Sequence, residues 1–179
     1  KELEEKDVLA LIVSINSPGG SVSASHKIYE LIKEFKEKND LLVYFHTSEL
    51  LASGGYWVAL SGDKIFANYG SVIGSIGVKG PDWIYYNSPT SINGIFGSGV
   101  ESPNGIQLYS NSAGLSKDIF NPFRKPQQDE ILKLQMMVDK IYKDFVNLVV
   151  KNRKIETEIV TNQIGAMIFN SIDAKSNFL

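Results

Sequence analysis

The chain has 179 residues, 43% of them hydrophobic and 21% charged, enough for one domain with a substantial core. Its 18 basic and 20 acidic residues give a formal charge of −2, and without a basic excess a nucleic-acid partner is not expected. Cysteine is absent, which excludes disulfides, a thiolate nucleophile and thiolate metal sites but leaves the redox compartment open.

Lys1–Asp7 is charged and reads as the end of a solvent-facing helix, not as an apolar leader. The other end stops on the apolar pair Phe178–Leu179, so both ends read as cut. No apolar run approaches the roughly 20 residues needed to span a bilayer. The expectation is a single domain over residues 1–179, truncated at both termini.

Val8–Ile15 is a continuous apolar run rich in β-branched residues, the pattern of a buried parallel strand. Asn16–Gly20 breaks it. Ile28, Leu31, Ile32 and Phe35 then recur at helical spacing, with Ser21 or Ser23 placed to cap the helix. Leu41–Phe45 is a second strand, and strand, helix, strand in this order predicts a βαβ crossover and an α/β fold.

Leu51–Leu60 reads as a turn leading into a short apolar helix, and Lys64–Ala67 and Val72–Val78 as short strands. Residues 80–116 are rich in Gly, Ser, Asn and Pro and carry Trp83, Tyr85, Tyr86, Phe96 and Tyr109. They read as a loop or hairpin insertion within the domain. The clearest helix spans Lys125 to Lys151, where Ile131, Leu134, Val138, Ile141, Phe145 and Leu148 step by three and four. About 25 residues at 1.5 Å each make it about 37 Å long. A short helical turn, a strand at Met167–Phe169 and a helix starting at Ser171 or Asp173 complete the chain.

Serine attacks a carbonyl only when a base takes its proton and donors hold the developing oxyanion. Ser53, in Ala52-Ser-Gly-Gly55, stands at a strand-to-helix turn that would lift its hydroxyl clear and leave the following N–H groups unpaired. The Pro18–Gly20 loop follows a parallel strand, where ligands of open α/β folds bind. One N–H from that loop and one from Gly54 could form an oxyanion hole. Either loop alone also reads as an ordinary turn. For the base, His26 falls on the polar side of a helix and His46 at the end of a strand, surroundings that fit structural or solvent-facing roles. A lysine serves if desolvation leaves it neutral at the working pH. Most lysines here lie in charged helical stretches. Lys79, at the end of an apolar strand, and Lys117, between Ala-Gly-Leu-Ser and Asp-Ile-Phe, do not.

Several linked motifs resemble the signal peptide peptidase A (protease IV) family. They are Ile15–Val22, Ala52–Tyr56 with Ala59, Asp63–Ile65, Gly74–Val78, Gly114–Asp118 and Pro122–Arg124, in the family's order across Val8–Phe178. The resemblance implies the fold shared by the Clp protease proteolytic subunit and the crotonases, with repeated strand–helix units. It also implies a Ser–Lys dyad without metal or cofactor. Ser53 would be the nucleophile, Lys117 the general base, Gly20 and Gly54 the oxyanion-hole backbone, and Ser75 the hydroxyl that orients the lysine. Substrates would be signal peptides and other membrane-derived peptides. The parent would be a membrane-anchored bacterial homo-oligomer with its catalytic domain on the outer face of the cytoplasmic membrane, and the dyad can be completed between copies.

Three features depart from the family pattern. The stretch from Gly80 to Ser116 is longer than usual, Lys79 replaces an apolar residue and is the reserve base, and Phe45–Leu51 replaces a run of small residues. Two rival readings share the fold: a crotonase-type acyl-CoA enzyme, which would need an adenine and phosphate site, and a non-catalytic assembly module.

Overall fold

The computed structural model describes residues 8–86, 93–94, 97–98, 112–177 and 179. The charged N-terminal stretch and the aromatic residues Phe96 and Tyr109 lie outside them. Two compact units form, Lys1–Val78 with Lys140–Leu179, and Lys79–Asp139.

In the first unit, β1 (Ala10–Ser14), α1 (Val22–Asn39) and β2 (Leu42–Thr47) make the expected βαβ crossover, with Ala10 opposite Leu42 and Ser14 opposite His46. Ser21 caps α1 by accepting the Ala24 N–H at 3.3 Å. Lys36 in the last turn of α1 pairs with Asp63, whose carboxyl also accepts the Val43 N–H at 2.8 Å. Desolvation opposes ionisation of Asp63, but these two donors hold its pKa below the usual carboxylate range.

β3 (Leu50–Ala52) and α2 (Gly54–Ala59) follow, and then β4 (Lys64–Ala67) pairs with β2 in the parallel order β1-β2-β4. β2 is central, so Val43, Phe45 and Thr47 are buried on its core face. The expectation of a buried first strand is corrected in part. β1 is an edge strand with side chains alternating across the sheet, and Ile12 on the outer face is 69% exposed.

β5 (Val72–Gly74) runs parallel to β3. Within Lys79–Asp139, the two-residue strands β6 (Asn93–Gly94) and β7 (Gly97–Ser98) pair antiparallel. α3 (Gln128–Arg153) is the long helix, and β8 (Ile168–Asn170) then pairs antiparallel with β5 in the order β3-β5-β8. A π-helical turn over Ile159–Ile164 precedes β8, and α4 (Ser171–Ser176) follows it, capped by the Asn170 side chain. Among the described residues no helix is long and apolar enough to cross a membrane.

The core gathers on α2, all six of whose residues are buried. Trp57 packs against Phe145 with ring centroids 4.8 Å apart. The Tyr56 hydroxyl accepts a hydrogen bond from Arg153 Nε at 2.9 Å, and burial raises the pKa of the phenol. A short apolar helix fixed this firmly can hold a costly backbone geometry at its start.

Candidate active site

That geometry belongs to Ser53. Its backbone lies at φ 51° and ψ −123°, a region that only glycine enters freely. Holding a serine there costs about 1–3 kcal/mol and persists only where the surroundings over-determine it. Here β3 enters the turn and the buried α2 leaves it. The Ser53 N–H donates to the Gly74 carbonyl of β5 at 2.9 Å, while its own carbonyl accepts the Trp57 N–H at 2.9 Å. Serine at a helix start normally caps the free N–H groups with its hydroxyl. Ser53 makes no such bond, so the hydroxyl is left for other chemistry.

The Pro18–Gly20 loop lies against this elbow. Ser17 docks the loop on β3 by donating its N–H to Leu50 and accepting the Ala52 N–H, at 2.7 and 3.0 Å. Gly19 sits at φ 118°, and a Cβ there would meet Ser53 Cβ at 2.8 Å and Ser53 Oγ at 3.1 Å. A Cβ on Gly54 would collide with the Ser25 hydroxyl and come within 3.2 Å of the Gly20 nitrogen. The Gly19 N–H is taken by Ser17 Oγ at 3.1 Å. The Gly20 and Gly54 N–H groups donate to no other described residue. Two unused donors thus flank the elbow, the arrangement an oxyanion needs. Beside them opens a cleft of about 300 Å³ lined by Ile15, Ile28, Ile32, Val58, Gly20 and Gly54.

Asn16, read from sequence as part of a breaker and of the Ile15–Val22 motif but given no role, fixes the base of this loop. Its Oδ1 accepts from Thr47 Oγ1, the Ser48 N–H and the Glu49 N–H at 2.9, 3.1 and 2.9 Å. Ser25 was also missed, since a serine inside a helix carries no signal of what faces it.

Ser75 follows the Gly74 carbonyl that holds Ser53, adopts φ 55°, and donates its N–H to Met167 at 2.8 Å. The structure therefore brings Ser53, Gly20, Gly54 and the backbone of Ser75 together in the first unit. Lys117 belongs to the second unit, exposed on a turn whose preceding residue Ser116 has φ 59°. Lys79 pairs with Asp82 at 2.9 Å in an exposed ion pair. His46 Nε2 bonds Asn68 Oδ1 at 3.1 Å, and His26 meets Trp57 edge to face; neither is hydrogen-bonded to Ser53.

Around Lys117 the second unit is tightly linked. Arg124 donates to Asp118 Oδ2 through Nε at 2.9 Å and grips both oxygens of Glu130 at 3.0 and 2.9 Å. Glu130 is 1% exposed and also accepts the Gln127 N–H at 3.1 Å and the Ser116 side chain. The Arg124 hydrogen bonds are the largest cause that lowers the Glu130 pKa, to about 2. Trp83 packs on Phe120 and Tyr86 on Phe123, but Tyr85, Tyr86 and Phe120 are all exposed, so these pairs form no buried core.

A strained serine between a β-strand and a buried helix, with unused amides beside it, makes Ser53 a candidate nucleophile on an α/β fold. Among solved structures the chain is similar to a Clp protease subunit, a mutant of ClpP1 from Listeria monocytogenes. That match has a TM-score of 0.55 and 15% identity and covers 93% of this chain and 68% of that one. A Plasmodium falciparum peptidase matches with a TM-score of 0.50 and 16% identity, covering 97% and 77%. At these identities the likeness shows a Clp protease-like fold and no more.

The profile described as peptidase family S49 matches residues 33–179, and the chain belongs to that family. Over 176 residues it is 32% identical to a protein of Enterococcus faecium named as a signal peptide peptidase, SppA, a match covering 98% of this chain and 47% of that one. Protease 4 of Haemophilus influenzae is 30% identical over 182 residues, covering all of this chain and 27% of that one. The chain thus spans about half or less of the length of these relatives.

Proposed function

We propose that the chain is the catalytic part of a serine endopeptidase that works through a Ser53–Lys117 dyad. The observation that carries this reading is the strained Ser53 elbow beneath the Gly19–Gly20 loop, a costly geometry that no structural role of the serine accounts for. Ser53 Oγ bonds to the scissile carbonyl carbon while its proton passes to neutral Lys117 Nζ, and the Gly20 and Gly54 N–H groups receive the oxyanion. The C–N bond then breaks, and the lysine returns the proton to the leaving amine. A water deprotonated by Lys117 hydrolyses the acyl-enzyme and regenerates Ser53. Ser75 orients the lysine in this scheme. Lys117 is preferred to Lys79 on the family resemblance and because Lys79 is engaged by Asp82.

The substrates in this reading are signal peptides and other membrane-derived peptides, in keeping with the name of the Enterococcus relative. The apolar cleft beside Gly20 favours small or apolar side chains on the acyl side of the cut. Among the described residues its lining includes no lysine or arginine, which speaks against an acyl-CoA phosphate site. In this reading the parent protein is a homo-oligomer anchored in a bacterial cytoplasmic membrane with its catalytic domain outward. Ile131, Leu132, Met136 and Met137 are exposed on α3, an apolar surface that copies could share. A strictly monomeric active parent in light scattering would contradict the association.

The reading is tested with a fluorophosphonate probe on the full-length protein. Labelling mapped to Ser53 by mass spectrometry is expected, and absence of labelling in a folded sample favours the non-catalytic module.

A further inference from the structure

The segment that carries Lys117 has little to hold it by its own backbone. Residues 114–124 form successive turns closed by N–H to carbonyl bonds of 2.9–3.2 Å, Ser116 has a positive φ, and Lys117 is exposed. A general base nevertheless has to stand within hydrogen-bond reach of its hydroxyl. The lysine side chain is a flexible four-carbon stem, so the backbone beneath it must be fixed for its nitrogen to be placed at all.

What fixes it is found on either side. The residue before Lys117, Ser116, hydrogen-bonds the Glu130 carboxylate. The residue after it, Asp118, accepts from Arg124 twice, through Oδ2 at 2.9 Å and through its carbonyl at 3.3 Å. Arg124 and Glu130 are themselves joined by two hydrogen bonds, and Glu130 is anchored in the first turn of α3 and to the Gln127 N–H. A carboxylate buried to 1% exposure is tolerated only while its acceptors stay filled, so both flanks of Lys117 are tied to a group that resists rearrangement.

We infer that the Arg124–Glu130 pair is a positioning device that clamps Ser116 and Asp118, and thereby sets the place of Lys117. This rests on Lys117 being the base. Both residues act through the backbone that carries Lys117, so their loss should fall on the catalytic step and not on binding. Misplacement of a base by about 1 Å is worth on the order of 10²-fold in rate.

The test uses the full-length protein, steady-state cleavage of a fluorogenic peptide and the rate of Ser53 labelling by a fluorophosphonate. Arg124→Met should lower kcat about 10²-fold with KM within about twofold. Arg124→Lys keeps the charge but loses the planar fork, and should recover only part of the rate. In a Lys117→Ala background, Arg124→Met should slow the residual labelling no further, because the residue it positions is gone. An active Arg124→Met beside an inactive Lys117→Ala overturns the clamp. So does an equal loss from Arg124→Met with and without Lys117, which marks a general structural role. An active Lys117→Ala instead overturns the dyad itself. If Arg124→Met does not fold by thermal unfolding, Asp118→Asn, which weakens one tether and leaves Glu130 paired, undergoes the same three comparisons.

Discussion

The Ser25 hydroxyl of α1 fills the space that a side chain on Gly54 would need, so the helix after the first glycine loop packs directly on the residue after Ser53. Gly54→Ala should therefore destabilise the protein by about 1–3 kcal/mol through overpacking. Ser25→Ala removes the colliding oxygen at the cost of its bond to the Ser21 carbonyl. The double variant should be more stable than the two single losses add up to, read as denaturation midpoints. Simple additivity would show that the two positions do not compete for space.

Ser53→Gly removes the conformational penalty at φ 51° along with the hydroxyl. It should be inactive yet at least as stable as the wild type, with a gain of up to about 1–3 kcal/mol. Ser53→Ala keeps the strain and should be inactive and unlabelled by the probe, with the fold intact. A Ser53→Gly protein that melts well below Ser53→Ala would contradict the strain.

A general base must be able to take up the proton of the attacking hydroxyl. Lys117→Arg should be inactive at every pH, since guanidinium stays protonated. Lys79→Ala should retain activity. The reverse pattern, with Lys79 essential and Lys117 dispensable, would move the base to the end of the preceding apolar stretch.

Glu130 offers a pH test of stability. Its pKa is lowered from the ordinary 4.5 to about 2, chiefly by Arg124. A depressed carboxylate stabilises the fold fully above about 4.5, and that contribution is lost as pH falls toward 2. Glu130→Gln cannot titrate and should show a flatter fall in stability across this window. Equal slopes in acid-unfolding curves would refute the assignment.

The cleft beside Gly20 predicts cleavage preference. A peptide library should show small or apolar residues on the acyl side of the cut and poor turnover of highly charged peptides. Ile28 and Ile32 face this cleft, so Ile32→Phe should shift the preference toward smaller side chains. Strong selection for a charge next to the cut would exclude the cleft as the acyl-side pocket.

The order of strands and helices was legible because apolar period and caps are local. β4 begins at Lys64 as expected, Ser21 is the cap of α1, and α4 starts at Ser171. β3 was read as part of a turn. Its three residues are held by partners remote in sequence, Val72–Gly74 and Ser17, and no local pattern records that. The place of Ser53 in a strand-to-helix turn was readable, but its left-handed backbone was not, since serine carries none of glycine's signature. The exposed outer face of β1 was hidden for a related reason, because an apolar run looks the same at an edge and at the centre of a sheet. Glu130 read as one more helix charge. Only the fold reveals that Arg124 fills its oxygens.

The link from Ser53 to the Gly74 carbonyl also has a consequence in time. β5, which supplies that carbonyl, is bordered on its other side by β8, and Gly74 pairs with Ile168. During synthesis the serine thus leaves the ribosome more than a hundred residues before the strand that completes its sheet. Domains settle as units once their last partners arrive. If Ser53 is the nucleophile proposed above, it is made early in the chain and becomes reactive only after β8 has joined the sheet. Chains stalled before Ile168 should stay inert to the probe, and their reaction would show that the elbow forms without β8.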